Sequence, residues 1–106
     1  MMKMITAIVN KRDAGEVCES LSKAGFAFTK MATVGGFLTS GNTTLLIGTE
    51  DHMVSPALEI IRTHCSRRVE PVPTSDHTGR AIGYPANVTV GGATVFVTDV
   101  EHFEKM

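Results

Sequence analysis

Two stretches of this chain carry apolar residues at helical spacing, and each is bracketed by short apolar runs of strand type. That alternation leaves few folds open. The first stripe is Ala14, Val17, Cys18, Leu21 and Ala24; the second is Val54, Ala57, Leu58, Ile61 and Cys65. Ahead of the first stripe, Met4 to Asn10 reads as a strand. Asp13 offers a helix cap with Glu16 three residues later, and Gly25 stops the helix. Phe26 to Val34 and Thr43 to Gly48 read as the second and third strands, joined by the glycine-rich Gly35 to Asn42. The second helix starts either at an Asp51 cap or at a Ser55 cap with Pro56 in the first helical position. Val69 to Pro73 reads as a short edge strand with prolines at 71 and 73, and Thr74 to Pro85 as a loop long enough to suspect function. Asn87 to Val90 and Ala93 to Val97 alternate around Gly91-Gly92, the pattern of a tight β-hairpin, and Glu101 to Met106 is a polar tail.

The order is β-α-β-β-α-β with a C-terminal hairpin. It predicts an α+β, ferredoxin-like fold, with two helices on one face of an antiparallel sheet. The 106 residues fit a single domain, 1–106. A packing conflict follows from the strand alternation. Ile5, Ala7 and Val9 share one face while Met4 and Ile8 share the other; Leu45 and Ile47 oppose Leu46; Val95 and Val97 oppose Phe96. Two helices cover one face only, so the other predicts burial against further copies of the chain, the alternative cover being the 74–85 loop folded back over the sheet.

Charge excludes some partners. Ten basic residues against eleven acidic ones give a net charge of -1, with no basic stripe of the kind a nucleic-acid binder needs. No apolar run approaches the ~20 residues that span a bilayer, and the N-terminus does not read as a signal peptide. Cys18 and Cys65 sit in helical patterns and read as buried thiols of a reducing compartment, so a cytoplasmic location is expected. No catalytic residue is identified: there is no nucleophile–base constellation and no G-x-S-x-G elbow. His52, His64, His77 and His102 form no metal-ligand spacing and read as solvated.

The glycine-rich stretch carries the strongest sign of a binding site. Its glycines let backbone N–H groups approach a phosphate, yet it lacks the P-loop pattern. Phe37 and Leu38 are apolar in a turn-like segment, where Phe37 offers a stacking surface. Asn42 offers the planar donor–acceptor pair that an adenine edge needs, and Thr29 and Thr33 add hydroxyls.

The segment from Thr29-Lys30-Met31-Ala32-Thr33-Val34-Gly35-Gly36-Phe37-Leu38 to Thr39-Ser40-Gly41-Asn42-Thr43-Thr44 closely resembles the signature of the cyclic-di-AMP receptors, PII-like signalling proteins. The run Val88 to Val97 and the ending Val100-Glu101-His102-Phe103-Glu104 are similar to the same family, so the resemblance spans essentially the whole chain. It implies a PII-like homotrimer that binds cyclic-di-AMP between neighbouring subunits, with contacts at Thr29, Gly36, Phe37, Leu38, Asn42 and Gly48. It implies no further cofactor. A short first loop and a long loop before the last hairpin fit that family, where a mobile 74–85 would relay binding to a downstream protein partner. One departure stands out. Family members carry an arginine between the two positions occupied here by Phe26 and Phe28, and this chain has Ala27; Lys30 or Arg80 are the candidate substitutes. Two other expectations remain open: a PII-like sensor of ATP, ADP or another nucleotide, and a trimeric metal-handling protein of the same fold.

Overall fold

The computed structural model describes residues 1–33, 41–66, 68–72 and 86–106. Its elements run β1 (Met2–Asn10), α1 (Lys11–Lys23), β2 (Ala27–Thr33), β3 (Asn42–Glu50), α2 (Asp51–His64), β4 (Arg68–Val72), β5 (Ala86–Val90) and β6 (Ala93–Asp99). The main sheet has four antiparallel strands in the order β2-β3-β1-β6, and β4 pairs with β5 in a second, two-stranded sheet.

The expected α+β architecture is present, with one rearrangement at its C-terminal end. Gly91-Gly92 does not close a hairpin between β5 and β6. Instead β6 pairs along β1, from Lys3 opposite Asp99 to Val9 opposite Ala93, while β5 pairs with β4. The two glycines adopt φ of 85° and 80° and carry the chain from one sheet to the other. There the Gly92 amide donates to the Cys65 carbonyl at the end of α2. Positive φ is what a tight turn of the primed types also demands, so the dipeptide is compatible with either path. Pro71 leaves β4 with one backbone donor fewer in its pairing with β5. The β6 segment has no proline and contributes Val95 to the core.

Both helix starts also differ from expectation. The cap of α1 is Asn10, whose side chain accepts from Arg12 N at 2.9 Å. Strand β1 runs straight into the helix, so Asp13 falls inside the first turn, where it is buried. Helix α2 begins at Asp51 after Glu50, without a side-chain cap, which leaves Pro56 inside the helix. Pro56 is the sixth residue of α2, so the helix forgoes the hydrogen bond that its amide would have made to the His52 carbonyl. At the far end of α1, Phe26 N donates to Leu21 O and Gly25 N to Ser22 O, with Gly25 at φ 88°, as the sequence predicts.

One face of the main sheet holds the core. Ile5, Ala7, Val9, Leu45 and Ile47 are buried against Ala14, Val17 and Leu21 of α1 and Ala57 and Ile61 of α2. The two helices are further joined by His64, whose Nε2 lies 2.9 Å from Ser20 Oγ and whose Nδ1 lies 3.4 Å from Glu16 Oε2. His64 is therefore half-buried and bonded rather than solvated; His52 and His102 are exposed as expected, and His77 lies outside the described residues. Cys18 and Cys65 are both free thiols. Burial pushes the Cys18 thiol up, opposed by the nearby Lys30 ammonium. At the end of the sheet, Lys3 pairs with Asp99 and with Asp51 (3.5 Å), and hydrogen bonding to Asp99 raises the Lys3 ammonium above its ordinary value.

Candidate functional site

The strand register builds a second surface on the side of the sheet that the helices leave uncovered. Directly opposed residues share a face, so the pairings stack into rows. Ala27, Gly48, Met4 and Thr98 form the first row, and Thr29, Leu46, Thr6 and Phe96 the second. Met31, Thr44, Ile8 and Thr94 form the third, followed by Asn42 beside Asn10. Hydroxyls alternate with apolar groups, and none of these described side chains is charged. Phe96 is 46% exposed and Met31 39%. Such a surface can take up flat, apolar rings and donate hydrogen bonds from its threonines.

All three described residues expected at the site lie on this face. Thr29 is exposed at the middle of β2, and Gly48 sits opposite Ala27. Asn42 stands at the start of β3, about 20 Å from Gly48 along the strand. Asn42 is buried within the single chain, at 7% exposure. Gly36, Phe37 and Leu38 lie outside the described residues, as do Arg80 and the 74–85 loop. Gly48 is the floor of the first row: a Cβ built there would meet only Met2 Cε, at 3.6 Å, an ordinary contact.

Lys30, a candidate substitute for the arginine absent at Ala27, lies on the opposite face of β2 from Ala27. It pairs with Leu45 and so projects to the helix side, where its charge acts on the Cys18 thiol. Thr6 and Phe96 were not singled out by sequence reasoning, although the period-two alternation places both on the uncovered face. What places them beside Thr29 is the pairing of β6 with β1.

Two other features lie away from this surface. A groove of about 570 Å³ between α2 and β6 is lined by Leu58, Ile61, Arg62, Cys65, Ser66, Ala93, Val95 and Val97. It contains none of the expected site residues and has few polar groups. The Ser20–His64–Glu16 chain has the order of a nucleophile, base and orienting acid. It spans two helix surfaces, with Glu16 exposed, and it serves as a helix–helix clamp. Among the described residues, no group of three or more His, Cys, Asp or Glu is placed to hold a metal ion, and no helix is long and apolar enough to cross a membrane.

The antiparallel sheet, with its two helices on one side and a helix-free face on the other, defines a PII-like α+β protein. Similar in fold are Arabidopsis thaliana PII bound to citrate (TM-score 0.62, 17% identity, 93% of this chain and 74% of that one) and a DUF3240 family protein from Shewanella baltica OS155 (TM-score 0.61, 7% identity, 99% and 96%). A functionally unknown protein from Pediococcus pentosaceus ATCC 25745 is similar at 39% identity, with a TM-score of 0.81 over 99% of this chain and 97% of that one. The chain belongs to the cyclic-di-AMP receptor family, whose model matches residues 2–106.

Proposed function

We propose that this protein is a non-enzymatic sensor that binds cyclic-di-AMP between the subunits of a homotrimer. Its ligand contacts are Thr29, Gly36, Phe37, Leu38, Asn42 and Gly48, and it passes the signal through the 74–85 loop to a downstream protein. The observation that carries the reading is the face on which Thr29, Asn42 and Gly48 fall. It is the side of the sheet left without helices, and from the Met4 row to the Ile8 row it carries hydroxyl and apolar groups without a charge, with Glu50 one row further, opposite Met2. Burial of that face against neighbouring copies would remove Met31 and Phe96 from water and enclose a ligand between two chains. The family match supports the choice of cyclic-di-AMP. A ligand with two adenines and two phosphodiesters suits hydroxyls, a stacking ring and an amide better than a triphosphate chain does, which would need several lysines or arginines. The signalling role is consistent with a receptor family and a PII-like fold.

The test is a calorimetric titration of the full chain with cyclic-di-AMP, ATP and ADP, with molecular mass followed by light scattering. Cyclic-di-AMP is expected to bind most tightly, to a particle of trimer mass. Binding of ATP with no response to cyclic-di-AMP would overturn the ligand assignment, and a monomer mass at micromolar concentration would overturn the interface. In the same titration Phe37→Ala and Asn42→Ala should each weaken binding roughly ten- to a hundredfold, since base stacking and a bidentate amide are each worth about 1–3 kcal/mol. Because Asn42 is buried, its variant is informative only at unchanged trimer mass and thermal midpoint.

A further inference from the structure

The described residues assigned to the ligand all come from one half of the uncovered face. Thr29 lies on β2, and Asn42 and Gly48 lie on β3. The other half of that face belongs to β1 and β6, which present Met4, Thr6 and Ile8 beside Thr98, Phe96 and Thr94. Phe96 stands at the centre of the β6 edge. It shares a row with Thr29 but sits three strands away, about 14 Å at the usual strand spacing. It is 46% exposed, and it is the one aromatic side chain among the described residues of these rows.

A cyclic trimer restricts what can meet what. A third of a turn never brings a patch against its own copy; the contact is heterologous, so one part of the surface meets a different part of the next chain. A ligand enclosed in such a contact is touched by two different patches. The β2–β3 half is one of them. What remains of the same uncovered face is the β1–β6 half, at the opposite edge of the sheet, and it presents a ring flanked by threonines. The proposed ligand has two adenines, of which Phe37 can stack on one.

We infer that Phe96 of one copy stacks on an adenine of the ligand held by Thr29, Asn42 and Gly48 of the next copy, so that each site is composed from two chains. The inference rests on the trimer and the cyclic-di-AMP proposed above. Within a single chain Phe96 is too far along the row to close over Thr29, and across the subunit boundary the two edges face each other.

Phe96→Ala, Phe96→Leu and Gly48→Val are titrated with cyclic-di-AMP, with particle mass followed by light scattering. Phe96→Ala should weaken binding roughly five- to a hundredfold, the range for loss of a base-stacking ring, at unchanged trimer mass. Phe96→Leu keeps apolar packing without the flat ring and decides the matter where alanine breaks the trimer. The origin of the ring is then read from mixed trimers, made by co-expressing two differently tagged chains and isolating particles with two Gly48→Val chains and one Phe96→Ala chain. A composed site requires that each such trimer bind one ligand with the affinity of the unaltered protein, because one boundary joins an intact Gly48 to an intact Phe96. If ring and glycine serve the same chain's site, only the weakened affinity of Phe96→Ala remains. Full binding by a trimeric Phe96→Leu, assembly lost in both Phe96 variants, or mixed trimers without a restored site overturns the role of Phe96 and leaves the ligand assignment standing. Full binding by Gly48→Val, or an unaltered protein that ignores cyclic-di-AMP, overturns the site itself and this inference with it.

Discussion

Replacing Gly48 with valine should remove most cyclic-di-AMP binding while leaving the fold as stable as before. Gly48 lies in the middle of β3, paired with Met4 on one side and Ala27 on the other, and its missing side chain would project from the uncovered face. Among the described residues an added Cβ meets only the flexible end of Met2, at ordinary contact distance. A β-branched residue is well suited to a strand, so the thermal midpoint of the ligand-free protein should hold or rise. The new methyl groups would stand in the floor of the proposed site. Intrusion into a packed contact costs about 1–3 kcal/mol, a loss of roughly 10- to 100-fold in affinity. Calorimetric titration beside a thermal melt checks both halves. Full affinity in the valine variant would place the ligand elsewhere, with the α2–β6 groove the next surface to probe.

The second large effect separates the two faces of one strand. Leu45 is fully buried in the core, while its neighbour Leu46 is only partly covered and points the other way. Leu45→Ala should cost about 2–5 kcal/mol, the range for a buried leucine whose cavity cannot fully collapse. In a domain of this size that corresponds to a fall of very roughly 10–20 °C in midpoint or more. Leu46→Ala should leave the folding of the single chain nearly intact and act instead on trimer mass or ligand affinity, because its side chain sits in the row with Thr29 and Phe96. Circular-dichroism melts and light scattering on both variants check this. A destabilised monomer in Leu46→Ala, with assembly and binding unchanged, would mean that the uncovered face matters only within the chain.

Much of this architecture is legible from local chemistry. Helical stripes, strand alternation and the Gly25 stop act through contacts a few residues apart, so the sequence carries them directly. The two-faced strands likewise announce a surface that the helices cannot cover: Ile5 and Ile8, or Leu45 and Leu46, cannot both face the same core. The resemblance carried by residues 29–44 pointed to the ligand class, and the register then placed Thr29, Gly48 and Asn42 on that same uncovered face.

Other features depended on groups distant in sequence. Asn10 and Asp13 are both good caps, and the choice fell to Asn10 because β1 stays paired with β3 until Asn10 meets Asn42, so the helix must start at once. A Gly-Gly dipeptide with positive φ permits a hairpin or a crossing between sheets alike; the pairing of β6 with the free edge of β1 makes it a crossing. The same holds for the charges. Lys30 lies next to Thr29 in sequence and on the opposite side of the sheet in space, while Lys11, thirty residues from Gly41, is packed against it. The sequence by itself determined the elements, the excess apolar face and the ligand class that its motifs resemble. Only tertiary structure decided which strand joins β1 and which side chain packs against Gly41, since both depend on edges and surfaces that exist only after the sheet has formed.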